Sequence, residues 1–356
     1  MRIAYILLAL QNRGPVIFTR ILIAGLLHEP GLEMEVFYLR TREGVIDFPV
    51  KCRQLTIVTF YKLFRFDLVH ATGFLPDCIL ALLPTPKERK ITSLHGFISE
   101  DMTYTYPGWK AAMISRLWFL ALRFVPNLIY SSTFMSSHYR SLIGPRNDII
   151  IGYGIPFPAA RSIELADQLV FDQYRARSLR IIGAVCLVIK RKGLDQLVRA
   201  LVTLTDCAVV IVGEGPESVL LLELARSLGV ADRFTILGFR DHSSRYNCHF
   251  DLFAMVSRSE GYCLAMLEAM GCGLPVVCSR LPIYADLISE EDLGFFDLED
   301  IQSLVLAIKK VTSDPANYIA SSKRLYKEHF MLTGMASKHV AYYRSLYRTV
   351  RGDASE

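Results

Sequence analysis

The sequence predicts an α/β protein made of two successive domains, each with a doubly wound parallel sheet. Three observations support this prediction. A chain of 356 residues exceeds what one hydrophobic core usually organises, so two domains are expected. The chain opens with an apolar run, a glycine-bearing loop and a helical pattern, as a doubly wound domain does. A second alternation of apolar strands and amphipathic helices begins at Arg180.

The first domain is predicted to span residues 1–154. Its opening strand covers Ile3–Leu10, and Pro15 then suits the first turn of a helix that runs to about Leu27. Helical patterns follow at 109–124 and 133–143. Further strands are predicted at 34–40, 67–72, 90–96, 127–132 and 148–154.

The second domain is predicted at 180–315, after a linker at 155–179 that begins with the proline-rich stretch 154–162. A final helical segment, 316–356, is predicted to cross back to the first domain. The strands expected in the second domain are 180–189, 207–215, 233–239, 251–257 and 275–279. The helices expected there are 192–204, 216–230 and one that starts near 263.

The composition excludes several classes of protein. Apolar residues make up 52% of the chain and charged residues 21%, which argues against disorder. The net charge of +5 is too mild to indicate a nucleic acid, whereas a phosphorylated small molecule or an anionic membrane surface fits it. The eight cysteines form no CxxC pair and no histidine cluster lies beside them, so we expect free thiols in a reducing cytoplasm and no zinc site. No other metal ion and no cofactor is expected.

The stretch SRSEGYCLAMLEAMGCGLPVV, at 257–277, carries the strongest functional signal. Glu260 follows a predicted strand, and Gly261 frees the backbone next to it. A helix from about Cys263 offers unpaired amides and a positive dipole end, where phosphates bind. Ligands of doubly wound sheets bind beyond the carboxyl ends of strands, so a cleft between the two domains is the expected site. The structural alternative makes Glu260 a helix-start carboxylate and Glu268 a solvated residue.

Together with three further segments, this stretch resembles retaining glycosyltransferases of family 4, which have the GT-B fold of two Rossmann-like domains facing across a cleft. The segments are KRKGLDQLVRAL (190–201), VVIVGEGPE (209–217) and FTILGF (234–239). The first domain matches more loosely, through NRGP, LVHATG, SLHG and GYGI. The resemblance implies transfer of a sugar from a UDP- or GDP-sugar donor to a glycan or lipid-linked acceptor, in the synthesis of cell-surface polysaccharide or glycolipid.

The resemblance also implies roles for individual residues of the second domain. Glu260 would contact the hydroxyls of the transferred sugar, and Glu268 would accept hydrogen bonds from the ribose diol. Lys192 is the cation that would face the departing diphosphate. The other donor-binding candidates are Gly213 and the backbone amides of Gly261, Tyr262 and Cys263.

Two residues of the first domain complete the predicted site. His95, in SLHG, would approach the donor sugar from the acceptor side, and a purely structural histidine is the alternative. Gly14, in the first loop, would permit close approach of the backbone to the donor.

The chain departs from the family pattern at Leu187, where relatives usually carry an arginine that contacts the diphosphate. Lys190, Arg191 and Arg13 are candidates to replace that arginine. Because of Leu187, a catalytically weak binding or scaffold protein remains an alternative function, and so does a nucleotide-sugar epimerase on the same fold.

Residues 109–124 mix aromatic side chains with Lys110, Arg116 and Arg123. The two arginines are seven positions apart, so they share a helix face. Two interpretations are open: the helix packs into the first domain, or it lies on an anionic membrane surface. The second would place the protein peripherally at the inner face of the membrane.

Overall fold

The computed structural model describes residues 1–41, 45–158 and 162–352. The chain divides into two compact units, Met1–Gly154 with Met331–Glu356, and Ile155–Phe330. The predicted linker and the first part of the predicted C-terminal segment therefore fall within the second unit. Part of the predicted boundary stretch, residues 159–161, lies outside the described residues.

The first unit contains a parallel sheet with a doubly wound strand order. Its strands are β1 (Arg2–Leu7), β2 (Glu33–Tyr38), β3 (Lys51–Gln54), β4 (Leu68–Ala71), β5 (Lys90–Ser93), β6 (Asn127–Tyr130) and β7 (Asn147–Ile150). Among the described residues the order is β3-β2-β1-β4-β5-β6-β7. Strand β3 was not predicted from the sequence, because its KCRQ segment is polar and only partly buried.

Helices of the first unit cover this sheet. They are α1 (Gly14–Leu26), α2 (Ile57–Phe60), α3 (Phe74–Leu82), α4 (Ile98–Thr105), α5 (Gly108–Leu122), α6 (Thr133–Ile143) and the C-terminal α13 (Leu332–Arg351). Helix α13 packs against α1, where Gly25 leaves room for it: a Cβ on Gly25 would lie 2.8 Å from Leu332 Cδ1. The last helix of the chain is thus part of the first unit.

The second unit repeats the same plan. Its strands are β8 (Arg180–Val185), β9 (Cys207–Val212), β10 (Phe234–Ile236), β11 (Leu252–Met255), β12 (Val276–Ser279) and β13 (Gly294–Phe296). Its helices are α7 (Leu165–Ala176), α8 (Leu194–Ala200), α9 (Ser218–Ser227), α10 (Leu264–Gly271), α11 (Ile301–Ser313) and α12 (Pro315–His329). All six residues of β9 are buried, as expected for a parallel strand covered on both faces. Helix α7 occupies the stretch predicted to be a linker.

Both sheets reverse their strand order beside their first strand. In the second unit, as far as it is described, the order is β10-β9-β8-β11-β12-β13, so the reversal lies between β8 and β11. Loops that follow the two strands at such a point leave a crevice at the carboxyl edge of the sheet. The predicted fold class, two doubly wound Rossmann-like domains, is confirmed.

Candidate functional site

The loops after β8 and β11 lie against each other at the reversal point of the second sheet. Gly193 has a φ of +62°, and a Cβ there would lie 2.2 Å from the carbonyl oxygen of Val256. The amide of Arg258 donates to the carbonyl of Arg191 at 2.8 Å. The guanidinium of Arg258 also donates to the Lys190 carbonyl at 2.7 Å. The glycine of the KG pair is therefore needed for this close approach, which brings the two loops into fixed register.

This approach places Lys192 and Glu260 in direct contact. Lys192 Nζ donates to Glu260 Oε1, and Ser257 Oγ donates to the same oxygen at 2.6 Å. Arg191 Nη1 donates to the Ser259 carbonyl at 2.6 Å and lies 3.5 Å from Glu260 Oε2. The side chains of Lys192 and Glu260 are only 13% and 6% exposed. The two residues predicted to handle the sugar and the diphosphate therefore form one buried ion pair.

Both members of this pair are charged at neutral pH. Burial by itself raises the pKa of Glu260, but the cations of Lys192 and Arg191 outweigh it and hold that pKa below its ordinary value. Burial lowers the pKa of Lys192, yet the Glu260 carboxylate outweighs it and the net pKa is raised. Burial raises the pKa of the nearby Cys263 thiol to about 11, so it stays neutral. Two cations and one carboxylate leave the cluster of Arg191, Lys192 and Glu260 with a net positive charge.

A second layer of polar contacts holds this cluster in place. The Arg258 guanidinium donates to Asp195 Oδ2 at 3.0 Å and to Glu299. Ser279 Oγ donates to the carbonyl of Ser257 at 2.7 Å. Neither Ser257 nor Arg258 was predicted as a site residue, although the SRSEG motif already places a hydroxyl three residues before Glu260. We interpret these residues as supports that orient the carboxylate.

The predicted anion-binding helix begins next to this cluster. Cys263 precedes α10 with extended backbone angles, and within the described chain its side chain makes no capping hydrogen bond. Tyr262 is buried, with its ring centroid 5.6 Å from that of Tyr284 and 6.0 Å from that of Phe330. Only the backbone of Tyr262 is therefore placed to serve a ligand. Gly261 is also buried, and Glu268, on α10, is half-buried.

Gly213 has a clear packing role. Its φ is +148°, and a Cβ there would lie 1.9 Å from the Cys186 carbonyl oxygen. Its amide donates to the Gly238 carbonyl at 2.9 Å, which extends the pairing between the ends of β9 and β10. The loop after β9 can therefore lie against the loop after β8. A role of Gly213 in donor binding remains a prediction.

His95, in the first unit, follows β5 and belongs to a group of packed rings. Its Nδ1 hydrogen-bonds the Tyr153 hydroxyl, and its ring centroid lies 4.7 Å from that of Phe18. Its buried Nε2 has no hydrogen-bond partner among the described residues. Burial, aided by His339, lowers the pKa of His95 to about 3, so the imidazole is neutral. A neutral ring can donate or accept a hydrogen bond, but it cannot supply a cation to a phosphate.

Gly14 is the first residue of α1 and is exposed. A Cβ on Gly14 would meet nothing within 4 Å, so packing does not require a glycine there.

His70 is buried in β4, with Nε2 2.8 Å from Ser93 Oγ and Nδ1 2.8 Å from the Tyr343 hydroxyl. Both ring nitrogens of His70 are therefore satisfied within the first unit.

Leu187, at the position of the missing arginine, is 44% exposed.

Across the described ranges we find no cluster of three His, Cys, Asp or Glu side chains arranged to hold a metal ion. In the same ranges no helix has the length and apolar character required to span a bilayer.

This chain is similar in sequence to known glycosyltransferases. Residues 172–328 match the sequence model of glycosyl transferases group 1. The O-antigen biosynthesis glycosyltransferase WclY of Escherichia coli is 26% identical, and the alignment covers 98% of this chain and 100% of WclY.

Two solved structures share the fold over nearly the whole chain. Sucrose-phosphate synthase from Thermosynechococcus elongatus has a TM-score of 0.79 at 18% identity, covering 98% of this chain and 99% of that one. Anabaena Alr3699/HepE, crystallised with UDP, has a TM-score of 0.76 at 17% identity, with 97% and 100% covered. The sequence of the second unit is thus similar to glycosyl transferases group 1, and the chain as a whole has the GT-B fold.

Proposed function

We propose that this protein is a retaining glycosyltransferase of family 4 that transfers a hexose from a UDP- or GDP-sugar to a glycan or lipid-linked acceptor. The observation that carries the proposal is the buried cluster of Lys192, Glu260 and Arg191 at the reversal point of the second sheet. A net positive charge at this position, next to the start of α10, suits a diphosphate.

The chemistry assigns a separate task to each group. The bond between the sugar carbon and the diphosphate oxygen breaks, and the acceptor hydroxyl forms the new bond on the same face of the sugar and gives its proton to the departing diphosphate. Negative charge grows on the departing diphosphate, where Lys192 and the α10 amides stabilise it. Glu260 orients the donor sugar through its hydroxyls, and Glu268 accepts hydrogen bonds from the ribose diol. These roles need no metal ion, and we propose none.

Arg191 is our candidate to replace the missing arginine at 187. Its guanidinium lies in the same cluster as Lys192, its side chain is 21% exposed, and it already contacts Glu260 and Ser259. It can therefore contribute a second positive charge from the loop that carries Leu187. A charge-assisted hydrogen bond contributes roughly 1.5–3 kcal/mol.

The substitution Arg191→Gln tests this assignment. We expect the donor KM to rise about 10- to 100-fold, the effect of one lost charged hydrogen bond, and Leu187→Arg to restore part of the loss in the same chain. Arg199→Gln, at an exposed position on α8, is the matched control. An unchanged donor KM in Arg191→Gln, with an unchanged melting temperature, would rule Arg191 out.

The overall function is tested by a screen of UDP- and GDP-sugars. Slow donor hydrolysis, followed by transfer to a lipid-linked or oligosaccharide acceptor, is the expected result. Nucleotide binding without turnover on any acceptor would favour the scaffold alternative that Leu187 suggests. A changed sugar on the nucleotide, formed without acceptor, would favour an epimerase. NMR of the product then tests retention, because the anomeric configuration of the donor should persist.

Two relatives support the choice of substrates. The name of WclY places that protein in O-antigen synthesis, and HepE was crystallised with UDP. We therefore propose a UDP-sugar as the first donor to try, and assembly of a cell-surface polysaccharide as the process. The same proposal places the protein in the cytoplasm, at the inner face of the membrane where such acceptors are made.

A further inference from the structure

Helix α5 presents an apolar face to solvent. Five large side chains recur at intervals of four, four, three and four residues, so they line one side of the helix and the turn after it. We call this set the α5 face: Trp109, Met113, Leu117, Leu120 and Phe124. Each of the five is between 47% and 67% exposed. An aligned exposed apolar stripe of this size on a folded domain usually marks a contact surface.

The opposite side of α5 anchors it in the first unit. Ala111, Ser115 and Leu122 are buried there. Trp118 donates its indole N–H to Asp77 Oδ2 at 2.7 Å, whereas Trp109 is turned to solvent. The helix is therefore already packed on its inner side, and the α5 face is not the remainder of an unfinished core. Of the two interpretations made from the sequence, packing into the first domain holds for this inner side; the membrane interpretation concerns the α5 face and stays a prediction.

Positive charge borders the α5 face on both sides. On a helical wheel, Lys110 lies on one edge, and Arg116 and Arg123 lie on the other. All three are exposed, and no acidic residue occurs anywhere from Gly108 to Phe124. An apolar centre with a tryptophan and a purely basic border is the pattern of helices that lie in the interface of an anionic bilayer.

We propose that the α5 face docks on an anionic lipid bilayer. The five apolar side chains enter the boundary between headgroups and acyl chains, and the three bases contact lipid phosphates. A second copy of this protein is a poorer occupant, because pairing two α5 faces would bring only like charges together at the borders. The proposal rests on the exposed geometry of α5 and is independent of the proposed transferase activity.

Vesicle flotation with the full chain tests the proposal. We expect binding to phosphatidylcholine vesicles that contain phosphatidylglycerol, weaker binding at high salt, and little binding to phosphatidylcholine alone. Arg116→Gln with Arg123→Gln should lower the affinity about 30-fold, since each base near an anionic surface contributes a factor of about five. Trp109→Ser with Phe124→Ser should lower it at least about tenfold through lost apolar area.

A matched control comes from α11, where Leu306 and Lys310 are also exposed. Leu306→Ser with Lys310→Gln should bind vesicles as the unmodified protein does. Equal vesicle binding by the α5 variants and the unmodified protein would overturn the proposal. So would sedimentation that shows a dimer disrupted by the same α5 variants, with no vesicle binding. Donor hydrolysis, measured without vesicles, reports separately on the proposed transferase activity.

Discussion

The carboxyl edges of the two sheets share a strand order but differ in chemistry. In the second unit, the edge beside β8 and β11 holds the charged pair of Lys192 and Glu260. In the first unit, the edge at β4 and β5 holds uncharged rings, with His70 and His95 bonded to tyrosine hydroxyls. The same topology thus supports a charged edge and a neutral edge. Strand order supplies the position of a site, and side chains supply its chemistry.

The difference has an energetic origin. A buried ion pair remains charged only because each partner offsets the desolvation of the other. A buried histidine without an opposite charge becomes neutral instead. His70 and His339 in the first unit follow this rule, since burial lowers both of their pKa values. Acid should therefore weaken the first unit much more than the charged edge of the second.

The largest effect we predict is acid destabilisation of the first unit. Burial lowers the pKa of His339 to about 4 and that of His95 to about 3, whereas unfolded histidines titrate near 6.5. The unfolded chain therefore binds more protons below pH 6.5, and stability is lost as pH falls from there towards 4. Each buried histidine should remove about 2 kcal/mol of the free energy of unfolding between pH 7.5 and 5. The buried carboxyl of Asp77, whose pKa burial raises to about 7, has the opposite effect and offsets about one of these losses. Hydrogen exchange of first-unit peptides at several pH values measures this loss.

His339→Leu isolates one of these contributions. His339 is fully buried, and its Nε2 has no partner among the residues described, so a leucine should be tolerated. We expect the pH dependence of unfolding to become shallower by about 2 kcal/mol over the same interval. His28→Gln, at an exposed position in the same unit, is the control. An identical pH dependence in His339→Leu and the unmodified protein would contradict the neutral-edge interpretation.

An effect smaller than that of the three buried histidines together, and confined to the charged edge, is predicted for Glu260→Gln. Removing the carboxylate leaves Lys192 and Arg191 without their shared partner, which should cost about 3 kcal/mol of the free energy of unfolding. Transfer activity should also fall at least about 100-fold if Glu260 orients the sugar. Urea unfolding of the second unit and donor turnover measure the two effects.

Two further variants sharpen this test. Adding Lys192→Met to Glu260→Gln should recover part of the lost stability, because the unpaired cation is then gone. Asp206→Asn breaks an exposed pair in the same unit, Arg180 Nη1 to Asp206 Oδ2 at 2.8 Å, and should change stability by less than about 1 kcal/mol. Equal losses of stability for Glu260→Gln and Asp206→Asn would show that burial of the Lys192–Glu260 pair does not increase the cost of breaking it.

The smallest effect concerns glycines at the two edges. Gly213→Ala should lower stability by about 2 kcal/mol, because its φ of +148° is one that alanine rarely adopts and the Cys186 carbonyl oxygen blocks the Cβ. Gly14→Ala should change stability by less than about 0.5 kcal/mol, because its Cβ would meet open space. A loss of donor affinity in Gly14→Ala, with an unchanged melting curve, would then report contact with the donor. Equal melting temperatures for both variants would contradict the crowding at Gly213.

Most of the fold could be predicted from periodicity. Strands such as β8 and β9 were placed correctly because buried parallel strands form continuous apolar runs. Both strands were predicted to extend too far at their C-terminal ends. For β8 the reason is that the apolar run of 180–189 continues into the loop after Val185. Helix α7 was assigned to a linker because the stretch 154–162 just before it is rich in proline and small residues. Its apolar side, with Phe171 and Tyr174, is recognisable only once the second sheet is present to cover it.

Sequence motifs could suggest candidate residues for the site, but not which of these residues contact each other. The motifs identified Lys192 and Glu260 as candidates. Because 67 residues separate them in the chain, the sequence does not indicate that they form an ion pair. The supports Ser257 and Arg258 were missed because a serine or an arginine in a loop is usually solvated. Gly213 was predicted to bind the donor. Its close approach to Cys186 could not be predicted, because it depends on how the loops after β8 and β9 pack against each other.

The amino-acid order alone determined the two alternating α/β domains, the family-like segments and the basic, aromatic character of residues 109–124. Those features depend on local periodicity and residue type, which the linear chain already contains. Tertiary structure decided that Lys192 and Glu260 form a buried pair, that the histidines of the first sheet are neutral, and which side of α5 meets solvent. Each of these depends on what packs against a side chain, and packing partners come from distant parts of the chain.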